Sequence, residues 1–303
     1  MSEAMRRLAA WDPFPATGEQ TGGLRRYLLL DVFAEAPLQG NQLAVFTDAR
    51  GLEAQAMQAL ARELRLSESV FLLPAEEGGG ARARIFTPAA ELPFAGHPVL
   101  GAGALVAAAL GAAEVRIETA AGPVPVTVGE PAPRSVLATM SQPLPEPDRF
   151  PAEPELLAAL GLDRSELPVE AYRNGPRHVY VALRSRAAVA ALMPDSAALE
   201  RCAAGWCVSC FAGAGRSFKT RMFAPSLGVA EDPATGSAAG PLAVHLARHG
   251  VIPYGEEIEI SQGAEILRPS LLRARVEGRR DALERVLVAG RVAPVGRGEL
   301  LAG

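Results

Sequence analysis

Leu52, Ala56, Leu60 and Leu64 recur every four residues, which predicts an amphipathic helix ending near Arg65. Around it lie short apolar or alternating runs of strand character at 26–32, 43–46, 70–73 and 82–86. Turn residues separate them, at 38–42 and 78–80. The stretch 98–110 behaves differently, because it is apolar on every face. Such a helix has to be buried all round, and sheet wrapped about it would do that. Hairpin strands are expected at 115–118, 124–128 and 136–140. Five prolines and no period mark 142–154 as a linker between halves. The second half repeats the mix, with a short helix at 155–160 and strands at 178–183, 206–211 and 218–223. A second apolar helix, 242–249, is closed by Gly250, and strands follow at 258–261, 271–276 and 286–289. Strands outnumber helices and adjoin through short turns, so the fold class is α+β with largely antiparallel sheet.

One pattern occurs twice. Arg84-Ile85-Phe86-Thr87-Pro88 leads through Glu91 to Gly96-His97-Pro98 and an apolar helix. Arg221-Met222-Phe223-Ala224-Pro225 leads through Glu231 and Asp232 to Gly236-Ser237 and another. The copies stand close to half the chain apart, which reads as duplication of one subdomain. Coincidence in an Ala/Gly/Pro-rich sequence is the other reading, and the matching helix behind each copy favours duplication.

Composition narrows the class. An apolar fraction of 49% supports a real core, and a net charge of −4 argues against a nucleic-acid surface. No apolar run approaches the roughly 18 residues of a membrane helix. Residues 1–23 carry no period and no apolar signal segment, so they read as a loose leader and the chain as cytoplasmic. The three cysteines, Cys202, Cys207 and Cys210, sit in one apolar segment and read as structural thiols, with redox or metal roles as the alternative.

Several residues could carry chemistry. Glu68, between two serines and ahead of Val70-Phe71-Leu72, fits a general base partly buried at a pocket edge, or a solvated turn acid. His97, after Gly96 at a helix start, fits a proton shuttle or carboxylate ligand, or a helix-cap histidine. Glu231 to Gly240 places two carboxylates ahead of a helix start, whose free N–H groups and positive dipole end suit an anion. Pro241 then has to sit in or near the first turn, since deeper it would break the helix. Asp232 fits a second acid/base, and Ser237 a cap or a carboxylate ligand. As an acyl nucleophile Ser237 lacks the second glycine of G-x-S-x-G at the right place. His245 and His249 have zinc-compatible spacing but no evident third ligand, and read as packing or surface residues. No phosphate loop and no dinucleotide fingerprint is present.

Together these motifs resemble the phenazine-biosynthesis isomerase (PhzF-like) family, nearly from end to end. The residues that carry the resemblance are Asp31-Val32-Phe33 with Gly40 to Phe46, and Leu66 to Phe71. They continue with Leu92 to Pro98, Glu231 to Ala238, Gln262-Gly263 and Arg268-Pro269-Ser270. The resemblance implies a diaminopimelate-epimerase-like fold of two pseudo-symmetric lobes, each a curled sheet around a central helix, with the site between them. The lobes would be 24–141, completed by a C-terminal strand at about 290–303, and 142–289. It implies an isomerase without metal or organic cofactor, in which Glu68 moves a proton between carbons of a cyclic amino acid. His97 and Asp232 would be catalytic. Ser237, Gly96, Gly236, Thr235 and Asn41 would bind the small carboxylate substrate, with neither nucleic acid nor membrane as partner and a homodimer as the assembly. Gln42, Arg65 and Ala95 depart from the family's usual Pro, Asn and Cys. Arg65 beside the base would then alter the pocket. The cysteine pair of epimerase relatives is absent from both glycine turns, which disfavours two-thiol epimerisation. A binding protein without chemistry, an epimerase or racemase on another amino acid, and a Ser237 hydrolase are the competing readings.

Overall fold

The computed structural model describes residues 23–302, so the predicted leader lies outside the described residues except for Gly23. The chain divides into two compact units. One holds the described residues up to Ser141 together with those from Ala289 onward, and the other spans Gln142–Val288.

In the first unit, β1 (Leu24–Val32), β2 (Asn41–Phe46), α1 (Ala54–Leu64), β3 (Glu68–Leu73), β4 (Ala81–Phe86) and β5 (Glu91–Leu92) precede the helix α2 (Gly96–Leu110). After it come β6 (Glu114–Thr119), β7 (Gly122–Pro131) and β8 (Val136–Gln142). Thirteen of the fifteen residues of α2 are buried, as its all-apolar surface requires. The sheet closes on it tightly. A Cβ on Gly101 would lie 2.5 Å from Leu43 Cδ2, and one on Gly103 2.6 Å from Val126 Cγ2. Only glycine admits that approach.

The second unit holds β9 (Glu146–Asp148), α3 (Glu153–Ala159), β10 (Glu170–Arg173), β11 (Arg177–Ala182), α4 (Arg186–Ala190) and α5 (Ser196–Cys202). Next are β12 (Cys207–Ala214), β13 (Ser217–Ala224), β14 (Val229–Asp232), the buried helix α6 (Gly236–Arg248), β15 (Glu257–Gln262) and β16 (Ser270–Arg279). The last strand, β17 (Ala282–Leu301), starts in the second unit and runs antiparallel to β1 in the first. Residues 142–154 are not a bare linker. Glu146–Asp148 pair with β10, at a place where Pro147 can be tolerated.

The strand pairings repeat pair for pair. β1–β2 antiparallel, β2–β3 parallel, β3–β4 and β4–β5 antiparallel, β4–β6 parallel and β6–β7 antiparallel make the first unit. β10–β11, β11–β12, β12–β13, β13–β14, β13–β15 and β15–β16 follow the same sequence of senses in the second. The duplicated Arg-x-Phe motif is part of that scaffold. Arg84 forks onto Glu91 at 2.7 and 2.7 Å, and Arg221 onto Glu231 at 2.8 and 2.7 Å. Each guanidinium also lies over the phenylalanine two residues on, at 5.2 Å from Phe86 and 5.0 Å from Phe223. The acids Glu91 and Glu231 are therefore spent on the fold.

Candidate active site

In the first unit, α1 ends at Arg65, whose left-handed backbone (φ 53°) turns the chain into Ser67 and β3. The Arg65 side chain is exposed. Glu68 is the first residue of β3, with its side chain 17% exposed, so the turn holds a carboxylate at the edge of the core and not out in solvent. Its Oε2 lies 3.6 Å from Nδ1 of His97, the second residue of α2, which is 2% exposed. Asn41 opens β2 and bridges the two segments. Ser67 Oγ donates to Asn41 Oδ1 at 3.1 Å, and Asn41 Nδ2 lies 3.3 Å from His97 Nδ1. His97 Nδ1 thus faces both the Asn41 amide and the Glu68 carboxylate, and the ring tautomer decides which of them it bonds. Burial pushes the His97 pKa down to about 3, against a smaller opposing pull from the Gln42 backbone. His97 is therefore a neutral imidazole, so its contact with Glu68 is not a charged ion pair. The helix-cap reading of His97 falls, because the N-cap is Ala95, and no side chain caps that helix.

In the second unit, Asp232 ends β14 and is buried. Thr235 Oγ1 donates to Asp232 Oδ2 at 2.6 Å, so Thr235, although the N-cap of α6, does not cap it with its side chain. Gln262 locks this loop. Its Nε2 donates to the Asp232 carbonyl at 2.8 Å and to Thr235 Oγ1 at 2.9 Å, and its Oε1 accepts from the Thr235 N–H at 3.2 Å. Gly263 follows at φ +77°, where a Cβ would come within 2.5 Å of the Pro233 carbonyl oxygen. Gly236 and Ser237 are the first two residues of α6, so Ser237 is not its cap. Both central helices thus begin on a glycine with no side-chain cap, an arrangement suited to a carboxylate.

Pro241 departs from expectation. It is the sixth residue of α6, inside the helix. Having no N–H, it leaves the carbonyl of Ser237 without its i+4 donor. Asn174 Nδ2 supplies one at 2.9 Å. Gln142 Nε2 donates to the Gly236 carbonyl at 2.7 Å, and the Tyr180 hydroxyl to that of Ala238 at 2.8 Å. These positioning residues were missed in the sequence. Pro241 was the signal, since a proline inside a buried helix requires an outside donor.

None of the three cysteines is part of a glycine turn in sequence. Cys210 is buried on β12 with its pKa pushed up to about 12, and burial also raises that of Cys202. A thiol so held is inert as a base. No described helix is long and apolar enough to cross a membrane.

A family model described as "Phenazine biosynthesis-like protein" matches residues 30–298. The chain belongs to this family. A trans-2,3-dihydro-3-hydroxyanthranilate isomerase of Pseudomonas aeruginosa is 51% identical over 275 residues, 91% of this chain and 99% of the relative. One of Pseudomonas chlororaphis is 49% identical over 278 residues, 92% and 100% of the two chains. Among solved structures, a "Predicted Epimerase" of Pseudomonas aeruginosa superposes with TM-score 0.77 at 37% identity, over 92% of this chain and all 100% of that one. A probable proline racemase of Agrobacterium radiobacter K84 superposes at 0.61 with 14% identity, over 91% and 92%, and so shares the fold alone. The family member described here is an isomerase with the diaminopimelate-epimerase-like fold.

Proposed function

We propose that this isomerase converts trans-2,3-dihydro-3-hydroxyanthranilate, or a closely related cyclic amino acid, by moving one proton between carbons without metal or organic cofactor. Glu68 is the base. It takes the proton as a carboxylate and, now an acid, returns it at a second carbon of the conjugated system. The supporting observation is the placement of Glu68 at the core edge against a buried, neutral His97 that also faces Asn41. A neutral imidazole adds no positive charge of its own beside the carboxylate, and so does not itself weaken it as a base. The uncapped starts of α2 and α6, at Gly96 and Gly236, serve the substrate carboxylate and the negative charge that builds as the proton leaves. Asp232, oriented by Thr235 and Gln262, and Ser237 act on the polar substituents of the same substrate. In this reading the enzyme is a cytoplasmic homodimer, which sedimentation of the purified chain and fractionation of its host would check.

The test is turnover in deuterated water, followed by absorbance and mass, for the wild type and Glu68→Gln. Wild type turns substrate over and incorporates up to one solvent deuteron, the fraction set by how far protonated Glu68 exchanges with solvent before it returns the proton. Glu68→Gln binds substrate and loses at least about a thousandfold in rate, the scale of a missing acid/base group. Wild-type turnover by the variant would remove Glu68 from the mechanism. A wild type that binds the substrate without turning it over would mark a binding protein instead. Uptake at a stereocentre with no change of bonding would mark an epimerase.

A further inference from the structure

His245 and His249 lie four residues apart at the C-terminal end of α6, so both rings leave the same side of the helix. The first residue of β10, Glu170, faces them. Its Oε2 is 3.3 Å from His245 Nδ1, its Oε1 is 3.2 Å from His249 Nε2, and the three ligand atoms all lie within 4.8 Å of one another. We propose that Glu170, His245 and His249 bind a divalent transition-metal ion, zinc fitting best, with solvent as fourth ligand, clamping the end of α6 to β10.

The spacing carries the proposal. Four ligands at roughly 2.0–2.1 Å around zinc stand about 3.3 Å from one another along the edges of the tetrahedron. Each imidazole nitrogen stands at that distance from one oxygen of Glu170, and the whole set lies within 4.8 Å, so a small shift of the carboxylate closes the site. His249 Nε2 is the sharper witness. It is buried and makes no hydrogen bond, although a carboxylate oxygen lies 3.2 Å away. The two atoms are close but not aligned as donor and acceptor, as atoms sharing an ion would be. Two imidazoles and a carboxylate are also a donor set that zinc and its neighbours prefer.

The surroundings agree in two respects. The Tyr172 hydroxyl donates to Glu170 Oε2 at 2.5 Å and fixes the carboxylate from behind. The negative end of the α6 dipole lies at these histidines. Glu170 and His249 are partly exposed, which gives an ion a way in and solvent access to the fourth position. One feature opposes, namely the positive charge of Arg248, which lies between the two histidines in sequence. The affinity should therefore be micromolar, not that of a closed structural site. The cluster lies nine residues beyond Gly236 along α6, about 14 Å at 1.5 Å per residue, and does not depend on the proposed reaction.

The full chain, stripped with chelator, is titrated with zinc against a chromophoric competitor, and with cobalt(II) for its visible spectrum. One zinc per chain, a four-coordinate cobalt spectrum and a zinc-dependent rise in melting temperature are expected. His249→Gln and Glu170→Gln change partly exposed groups, and circular dichroism checks their folding. Each should weaken zinc at least about tenfold and abolish the melting shift. Absence of stoichiometric micromolar binding by the wild type overturns the proposal. So does binding that survives unchanged in both variants.

Discussion

His178 provides a direct measure of how firmly the core of the second unit excludes charge. It lies on β11, fully buried, and neither ring nitrogen has a hydrogen-bond partner among the described residues. Burial pushes its pKa down to about 3. In the unfolded chain the same ring titrates near 6.5. Between these values the unfolded state holds a proton that the folded state lacks, so stability falls as pH falls through 6.5 and goes on falling towards 3. At pH 5 the gap of 1.5 units below 6.5 corresponds to about 2 kcal/mol relative to pH 8. His178→Leu removes that term. Urea unfolding of wild type and variant at pH 8 and pH 5 should therefore show the variant gaining about 2 kcal/mol on the wild type between the two conditions. At pH 8 the change is expected to be small, because an unpartnered polar ring is exchanged for an apolar side chain. A double difference under about 0.5 kcal/mol would refute the argument, since it would mean that the ring titrates normally in the folded protein.

Two further outcomes follow from the same kind of reasoning. The Arg221–Glu231 fork is 9% and 11% exposed and the Arg84–Glu91 fork 23% and 40%. Arg221→Ala should thus cost about 3 kcal/mol by chemical denaturation and Arg84→Ala about 1 or less. Equal costs would show that burial does not set the worth of these forks. Arg65 occupies a left-handed position that Asn or Gly adopts more readily, so Arg65→Asn should raise stability by about 1 kcal/mol in a thermal melt, and a fall would count against the strain argument.

What could be read from the sequence was what local pattern controls. The all-apolar run 98–110 called for a helix buried on every side, and α2 is that helix. The repeated Arg-x-Phe-x-Pro stretch pointed to duplication, and the matching pairings of the two units have that form. The motifs around Glu68 and His97 fell on a strand start and a helix start, as the turn residues suggested. The rest depends on contacts distant in sequence. Gln262 reaches Asp232 and Thr235 across about thirty residues, and Asn174 reaches Ser237 across 63. Glu170 meets His245 across 75, which is why the histidine pair lacked a third partner on paper. Residues 142–154 read as a linker because proline content masks a short strand, whose partner β10 supplies the order. Pro241 was misplaced for a related reason, since the donor that makes it tolerable inside α6 comes from elsewhere.

The interrupted hydrogen-bond ladder of α6 also bears on motion. In an unbroken helix each turn is held by the next, so fraying at one end propagates inward along the i to i+4 bonds. Here the carbonyl ahead of Pro241 is tied to a side chain from the sheet, and its neighbours on either side have sheet-side or linker-side donors of their own. The opening turn of α6 is thereby anchored from outside at three successive carbonyls, those of Gly236, Ser237 and Ala238. The C-terminal turns can breathe on the timescale of local opening while the amides at Gly236 and Ser237 keep their aim. A proline that would weaken an ordinary helix goes here with a first turn moored from outside.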